Sequence, residues 1–192
     1  MKLHVDGARI FNAATALKTP VKTLVAEADS VMFCLSKGLC APIGSMLVGT
    51  DDFIHRAHHI RKSLGGGMRQ VGIVAAAGLI ALREMTTRLD EDHANARALA
   101  EGLAALPHIQ IDLSRVKTNM VFFSLTDDSP LDAVQLAEKL KAEHNILMRP
   151  IYVEGRVFRA VTHYYITRER VHQTLDAMRA LLSEPAGERL AR

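Results

Sequence analysis

Residues 30–49 read SVMFCLSKGLCAPIGSMLVG, and the rest of the chain is organised around them. Two apolar runs rich in β-branched and aromatic residues, Val31 to Leu35 and Met46 to Val48, flank a loop of small residues, which predicts two strands joined through that loop. Within the loop Lys37 is followed by Gly38, directly after a strand expected to be buried. An amine held at such a place is partly desolvated. Desolvation lowers the pKa of a lysine and makes it nucleophilic toward an aldehyde. Ser36, Gly38, Ala41 and Gly44 leave room for a flat ring to approach the backbone. The competing reading of the same tripeptide is a solvent lysine in a tight turn.

Working outward, the chain begins MKLHVDGARIFNAATAL. Lys2 to Val5 reads as a strand, and the spacing of Ile10, Ala13, Ala14 and Leu17 predicts a helix after it. A strand that feeds a helix at once is half of a βα unit, and such strands sit inside parallel sheets with neighbours on both sides. The fold therefore reads as entered midway. His4, Asp6 and Arg9 fall where that strand ends and the helix starts, and the carboxyl ends of strands in open α/β sheets are where ligands bind. An Asp there suits a protonated ring nitrogen, and an Arg one turn on suits an oxyanion or phosphate. Equally, Asp6 caps the helix and Arg9 lies on the surface. His4 shares a strand face with Asp6.

Thr19-Pro20 breaks the first helix, and a short helix is expected over Val21 to Ala28. Thr50-Asp51-Asp52 opens a helix running to about Leu64, with acids in its first turn where they favour the dipole. Gly65 to Gly67 interrupts it. Residues 68–103 then read as largely helical. The first part, VGIVAAAGLIAL, is apolar on nearly every side, which predicts burial in a core or a subunit interface. The second, DEDHANARALAEGLAAL, is amphipathic and ends at Pro107. Beyond it HIQIDL, TNMVFFSL, NILMRP and RVFRAVTH read as short strands, with helices over Leu131 to Glu143 and Arg168 to Leu182. This is an α+β arrangement with a mostly antiparallel sheet. A boundary is placed near Leu106, dividing the chain into 1–106, 107–182 and a polar tail at 183–192.

The composition is that of an ordinary globular protein, with 192 residues, 48% hydrophobic and 23% charged. The net charge of +3 comes from scattered basic residues, and the chain has no Trp and 5% aromatic residues. Stacking surfaces for bases are scarce, so no nucleic-acid partner is expected. No apolar run approaches the roughly 20 residues of a membrane span, and no leader pattern precedes the first strand. Cys34 and Cys40 lack a zinc spacing and lie too close to a strand end for an unstrained disulfide, so two reduced thiols in a cytoplasmic protein are expected. His55 and His59 have the i, i+4 spacing of some metal pairs, but no third ligand is apparent and no metal is expected.

Taken together, HVDGARIFNAA, CLSKGLCAPIGSMLVG, RKSLGGGMRQVGIVAAAGL and RAVTH resemble the L-threonine aldolase family of the β-eliminating lyase group, in the same order and over residues 3 to 163. The resemblance implies an α/β fold: the C-terminal part of an aspartate-aminotransferase-like large domain with a mostly parallel sheet, followed by a small α+β domain. It implies pyridoxal 5′-phosphate (PLP) as cofactor, which needs a Schiff-base lysine and an acid that keeps the pyridinium protonated so that the ring acts as an electron sink. By position Lys37 resembles the Schiff-base lysine and Asp6 the partner of the ring nitrogen. Arg9 resembles the residue near the cofactor O3′ and the substrate carboxylate. Lys62 and Arg69 resemble basic residues near the active site that reach the substrate, the phosphate or a neighbouring subunit. Arg159 resembles the arginine that binds the substrate carboxylate, a bidentate role suited to Arg; without the resemblance it reads as a strand arginine.

The implied reaction is retro-aldol cleavage of L-threonine or L-allo-threonine to glycine and acetaldehyde. The implied partners are a small amino-acid substrate and either further copies, as a homo-oligomer, or a missing N-terminal half. Two alternatives stand beside it: a catalytically inactive fragment that acts as a partial fold or interaction module, and a PLP lyase for another β-hydroxy amino acid. The family loop reads SKGLGAP where this chain has SKGLCAP, so Cys40 replaces a glycine. If that position needs a positive φ, Cys is unfavourable there. The small-residue loop that cradles the cofactor phosphate and the histidine that stacks on its ring have no counterpart here. Weak PLP binding by the isolated chain is therefore expected.

Overall fold

The computed structural model describes residues 1–151 and 155–183; residues 184–192 of the expected tail lie outside that range. By internal contacts the chain divides into two compact units, Met1–Asp90 and Glu91–Arg192. The division falls in the first turn of the long amphipathic helix, whereas the sequence texture changes after it.

The first unit carries a three-stranded sheet in the order β1-β2-β3, with β1 at His4–Asp6, β2 at Ser30–Cys34 and β3 at Ser45–Gly49. β1 and β2 are parallel, pairing Asp6 with Met32, while β3 runs antiparallel to β2. The first strand starts later than its apolar pattern suggests. Pairing begins where Leu3 O accepts from the Asp29 and Ser30 amides, and the ladder continues past the strand through Gly7 N–H to Met32 O at 2.9 Å. A side chain at Gly7 would stand 3.0 Å from that same oxygen and 3.1 Å from Ile10 Cβ, so the turn into helix α1 (Ile10–Leu17) needs glycine for close approach. Helix α2 is only Val21–Leu24. Helix α3 (Asp51–Ser63) ends before the glycine triplet, where Gly65 takes φ +83° and Gly66 N–H closes on Arg61 O.

Helix α4 (Gly72–Arg83) is not buried in a core of this chain. Of its residues only Gly78 and Ala81 are buried, while Ile73, Leu79 and Ile80 are exposed. None of the residues of β3 is buried, and β1 and β3 each pair only with β2 among the described residues. This unit therefore presents two open sheet edges and an apolar helix face, surfaces that favour further polypeptide. Its buried apolar cluster is small: Leu35, Leu39, Ala41, Ala81 and Leu89, with Phe11 and Phe33, edge to face with each other, packed against it.

The second unit holds most of the apolar core. Helix α5 (Leu89–Ala104) buries Ala96, Leu99, Ala100 and Leu103 at helical spacing. A four-stranded antiparallel sheet follows in the order β4-β5-β7-β6, with β4 at Ile109–Gln110, β5 at Met120–Leu125, β6 at Pro150–Ile151 and β7 at Val157–Val161. The run NILMRP is mostly irregular and yields only the short β6. Helix α6 (Ala133–His144) is fixed at its start by a capping box, with Asp132 accepting from Val134 and Gln135 amides and Gln135 accepting from the Asp132 amide. Helix α7 (Arg168–Ser183) buries Val171, Leu175, Met178 and Leu182 along one stripe. Phe123 and Phe158 stack across β5 and β7 with centroids 5.0 Å apart. Fully buried side chains of this size contribute about 1.5–3 kcal/mol each, so the second unit has the larger hydrophobic reserve.

Both cysteines are free thiols. Among the described residues no helix is long and apolar enough to cross a membrane.

Candidate active site

Because β1 and β2 are parallel and adjacent, Asp6 at the last position of β1 and the loop after Cys34 emerge at the same end of the sheet. This is the carboxyl end, where open α/β sheets bind ligands. Asp6 is exposed and its Oδ1 accepts from the Ala8 amide at 3.2 Å, so the carboxylate tightens the turn. His4 pairs directly with Ser30, and its Nδ1 lies 2.8 Å from Ser30 Oγ; it ties β1 to β2. Arg9 occupies the N-cap of α1 and is half-buried, with its Nε fully enclosed.

Lys37 opens a turn in which Cys40 N–H donates to Lys37 O at 2.9 Å. Ala41 N–H donates to Leu35 O, and Leu35 N–H to Gly44 O, both at 3.0 Å. Leu35, Leu39 and Ala41 are buried from this same loop and form the cluster beneath it. Gly38 is pressed against its surroundings: a side chain there would meet Asn12 Oδ1 at 3.0 Å and Leu89 Cδ2 at 3.4 Å. The loop backbone is thus pinned from below, while Ser36, Lys37 and Cys40 point outward. Lys37 is exposed, so the expected desolvation of its amine is not supplied within the first unit. The physical reason is the alternation of the loop, which spends its buried positions on apolar side chains and Gly38.

Cys40 adopts φ +57°, the left-handed conformation in which the family pattern has glycine. Its Sγ reaches Gly38 O at 3.6 Å.

Lys62, in the last turn of α3, and Arg69, beyond the glycine triplet, are both exposed, and among the described residues their side chains form no hydrogen bond or ion pair. Arg159 belongs to the second unit. It sits on β7 opposite Phe122, between buried Phe158 and Ala160, so it projects from the sheet face away from the core. There it lines a cleft of about 1470 Å³ with Arg149, Arg170, His144 and His163. The first unit thus gathers Asp6, Arg9 and the Lys37 loop at one end of its sheet, and Arg159 stands in a cleft of the second that Arg149, Arg170 and Asp176 also line. That cleft's other arginines were not legible in sequence as its neighbours, because they come from the irregular segment after α6 and the start of α7. Among the described residues no group of three or more metal-ligating side chains converges.

The beta-eliminating lyase family model matches residues 1–127. The chain is 47% identical over 176 residues to low-specificity L-threonine aldolase 1 of Arabidopsis thaliana, covering 92% of this chain and 48% of the plant protein. It is 43% identical over 183 residues to the low specificity L-threonine aldolase of Escherichia coli K12, covering 95% of this chain and 52% of the bacterial one. Its fold superposes with a TM-score of 0.77 on the crystal structure of a putative L-allo-threonine aldolase from Listeria monocytogenes, at 18% identity, over 95% of this chain and 52% of that one. The chain spans about half the length of the curated relatives it matches. With the parallel β1–β2 pair, the pinned lysine loop and a family model covering most of its length, the chain belongs to the beta-eliminating lyase family and is similar within it to the low-specificity threonine aldolases.

Proposed function

We propose that this chain contributes the lysine, the ring acid and the carboxylate-binding arginines of a PLP-dependent lyase that cleaves L-threonine or L-allo-threonine to glycine and acetaldehyde. The observation that carries the reading is the emergence of Asp6 and the Lys37 loop at one carboxyl end of adjacent parallel strands. The donor set fits the ring end of PLP: a primary amine, a carboxylate and a half-buried guanidinium. When bound, PLP supplies an electron sink for the bond that breaks.

In this reading residues 1–106 carry the cofactor part and 107–182 the small domain. Lys37 holds the cofactor through its amine, and the turn beneath it limits the positions that the amine samples. Asp6 keeps the ring nitrogen protonated. Arg9 in the first unit and Arg159 in the second are each candidates to bind the substrate carboxylate, where a planar fork outperforms an ammonium. Lys62 would serve the substrate and Arg69 the cofactor. The phosphate contacts and the base for the β-hydroxyl proton come from outside this set. The open edges of β1 and β3, the exposed apolar residues of α4 and the half-length match all support a catalytic unit completed by further polypeptide, either the remaining half of such a protein or further copies in an oligomer.

The test is a titration of the chain with PLP, alone and together with a polypeptide spanning the N-terminal half of a threonine aldolase. A visible absorption band that strengthens with the added half and is lost in Lys37→Ala, together with acetaldehyde release from threonine, is expected. A band unaffected by Lys37→Ala overturns the assignment of the lysine. A Lys37-dependent band without acetaldehyde release from threonine overturns the substrate.

A further inference from the structure

Helix α3 carries three histidines, His55, His58 and His59, all exposed. The spacing of His55 and His59 puts them one above the other on one helix face. Their rings meet edge to face, with centroids 4.8 Å apart and planes at 78°. The two Nε2 atoms are closer than the centroids, at 3.3 Å, so the rings lean toward each other through those nitrogens. His58 is rotated away on the helix, its centroid 6.5 Å from that of His59.

We propose that His55 and His59 form a two-point site for a borderline divalent transition ion of the zinc, nickel or copper class, with water completing its coordination. Two zinc–imidazole bonds of about 2.0–2.1 Å at the tetrahedral angle hold their nitrogens about 3.3–3.4 Å apart, which is the separation found here. An ion placed between the rings takes the Nε2 lone pair of each, and each ring then carries its proton on Nδ1. No backbone change is needed, because the helix already sets the bite. Asp51 stands four residues before His55 on the same stripe, and with Asp52 it offsets the basic residues Arg56, Arg61 and Lys62 of the same helix. Imidazole donors select for zinc, nickel and copper, while magnesium and calcium require oxygen ligands. With two protein ligands the ion is exchangeable, unlike a closed four-ligand structural site. The site is separate from Asp6, Arg9 and the Lys37 loop and is independent of the cofactor assignment.

The test is calorimetric titration of the full 192-residue chain with zinc chloride, copper sulfate and magnesium chloride, alongside His55→Gln, His59→Gln and His58→Gln. One ion per chain is expected, with copper tighter than zinc and no magnesium binding. Either His55→Gln or His59→Gln weakens zinc by more than about tenfold, the loss of one of two anchoring bonds. His58→Gln leaves affinity unchanged. The nine histidines of the chain make the last control necessary. Equal affinity in the native chain and in both single replacements overturns the proposal, as does an equal loss in His58→Gln, since either result assigns binding to scattered surface histidines.

Discussion

Cys40→Gly tests the geometry of the lysine loop most directly. Cys40 sits at φ +57° on an exposed position, with its Sγ 3.6 Å from Gly38 O. A residue with a β-carbon in the left-handed region costs about 1–2 kcal/mol. Glycine removes that cost but returns about 0.5–1 kcal/mol through its larger unfolded-state freedom. The thiol contact is weak and contributes little. The balance is a gain of about 0–1.5 kcal/mol in the first unit, and a gain near 1 kcal/mol within that range is about a fivefold change in an opening equilibrium. The first unit contains neither Trp nor Tyr, so fluorescence is a poor probe of it. Native-state hydrogen exchange is better suited, read at the Ala41 amide, which donates to Leu35 O, and at the Leu35 amide, which donates to Gly44 O. Both are expected to exchange about fivefold more slowly in Cys40→Gly. Cys40→Ala keeps the β-carbon and is expected to show no such gain. Equal protection in the two variants, or faster exchange in Cys40→Gly, would refute backbone strain as the consequence of this substitution.

In the second unit, Gly102→Ala would ordinarily stabilise a helix interior by about 1 kcal/mol. Here the new methyl group would stand 2.7 Å from Leu175 Cδ2 and 3.0 Å from its Cγ, inside a packed core, so a net loss of about 1–3 kcal/mol in urea unfolding is expected. Leu175→Ala in the same chain should make the cost of Gly102→Ala vanish, and additive losses would argue against the clash. Asp29 supplies a pH dependence. The Lys2 ammonium bonded to its carboxylate, and then the Leu3 amide, hold its pKa below the ordinary value. A lowered folded pKa means that its contribution is present above the unfolded pKa and is lost as pH falls through the folded one. Asp29→Asn should therefore lower stability at neutral pH by a small, salt-sensitive amount, and the gap should close in strong acid. A gap unchanged by acid would show that charge is not the cause.

The sequence by itself determined the local elements whose signals are short-range. The strands around SVMFCLSKGLCAPIGSMLVG follow from apolar runs bounded by small residues, and α6 and α7 occupy nearly the spans expected of them. Residue types and spacings also drew attention to Asp6, Arg9 and Lys37, whereas Arg159 stands out only through the resemblance, which gave all four their expected roles. Only the tertiary structure decided what surrounds them. β1 shifts toward Asp6 because pairing with β2, not local hydrophobicity, fixes where a strand begins. The lysine amine is exposed because Leu35, Leu39 and Ala41 take the buried side of its loop. Helix α4 reads as buried because apolar character is visible in a sequence, but what covers an apolar face depends on neighbouring chain, and this unit leaves Ile73, Leu79 and Ile80 exposed. The opposing nitrogens of His55 and His59 mark the same limit. Spacing places two histidines on one face, but the rotamers that bring their Nε2 atoms to 3.3 Å are set in three dimensions.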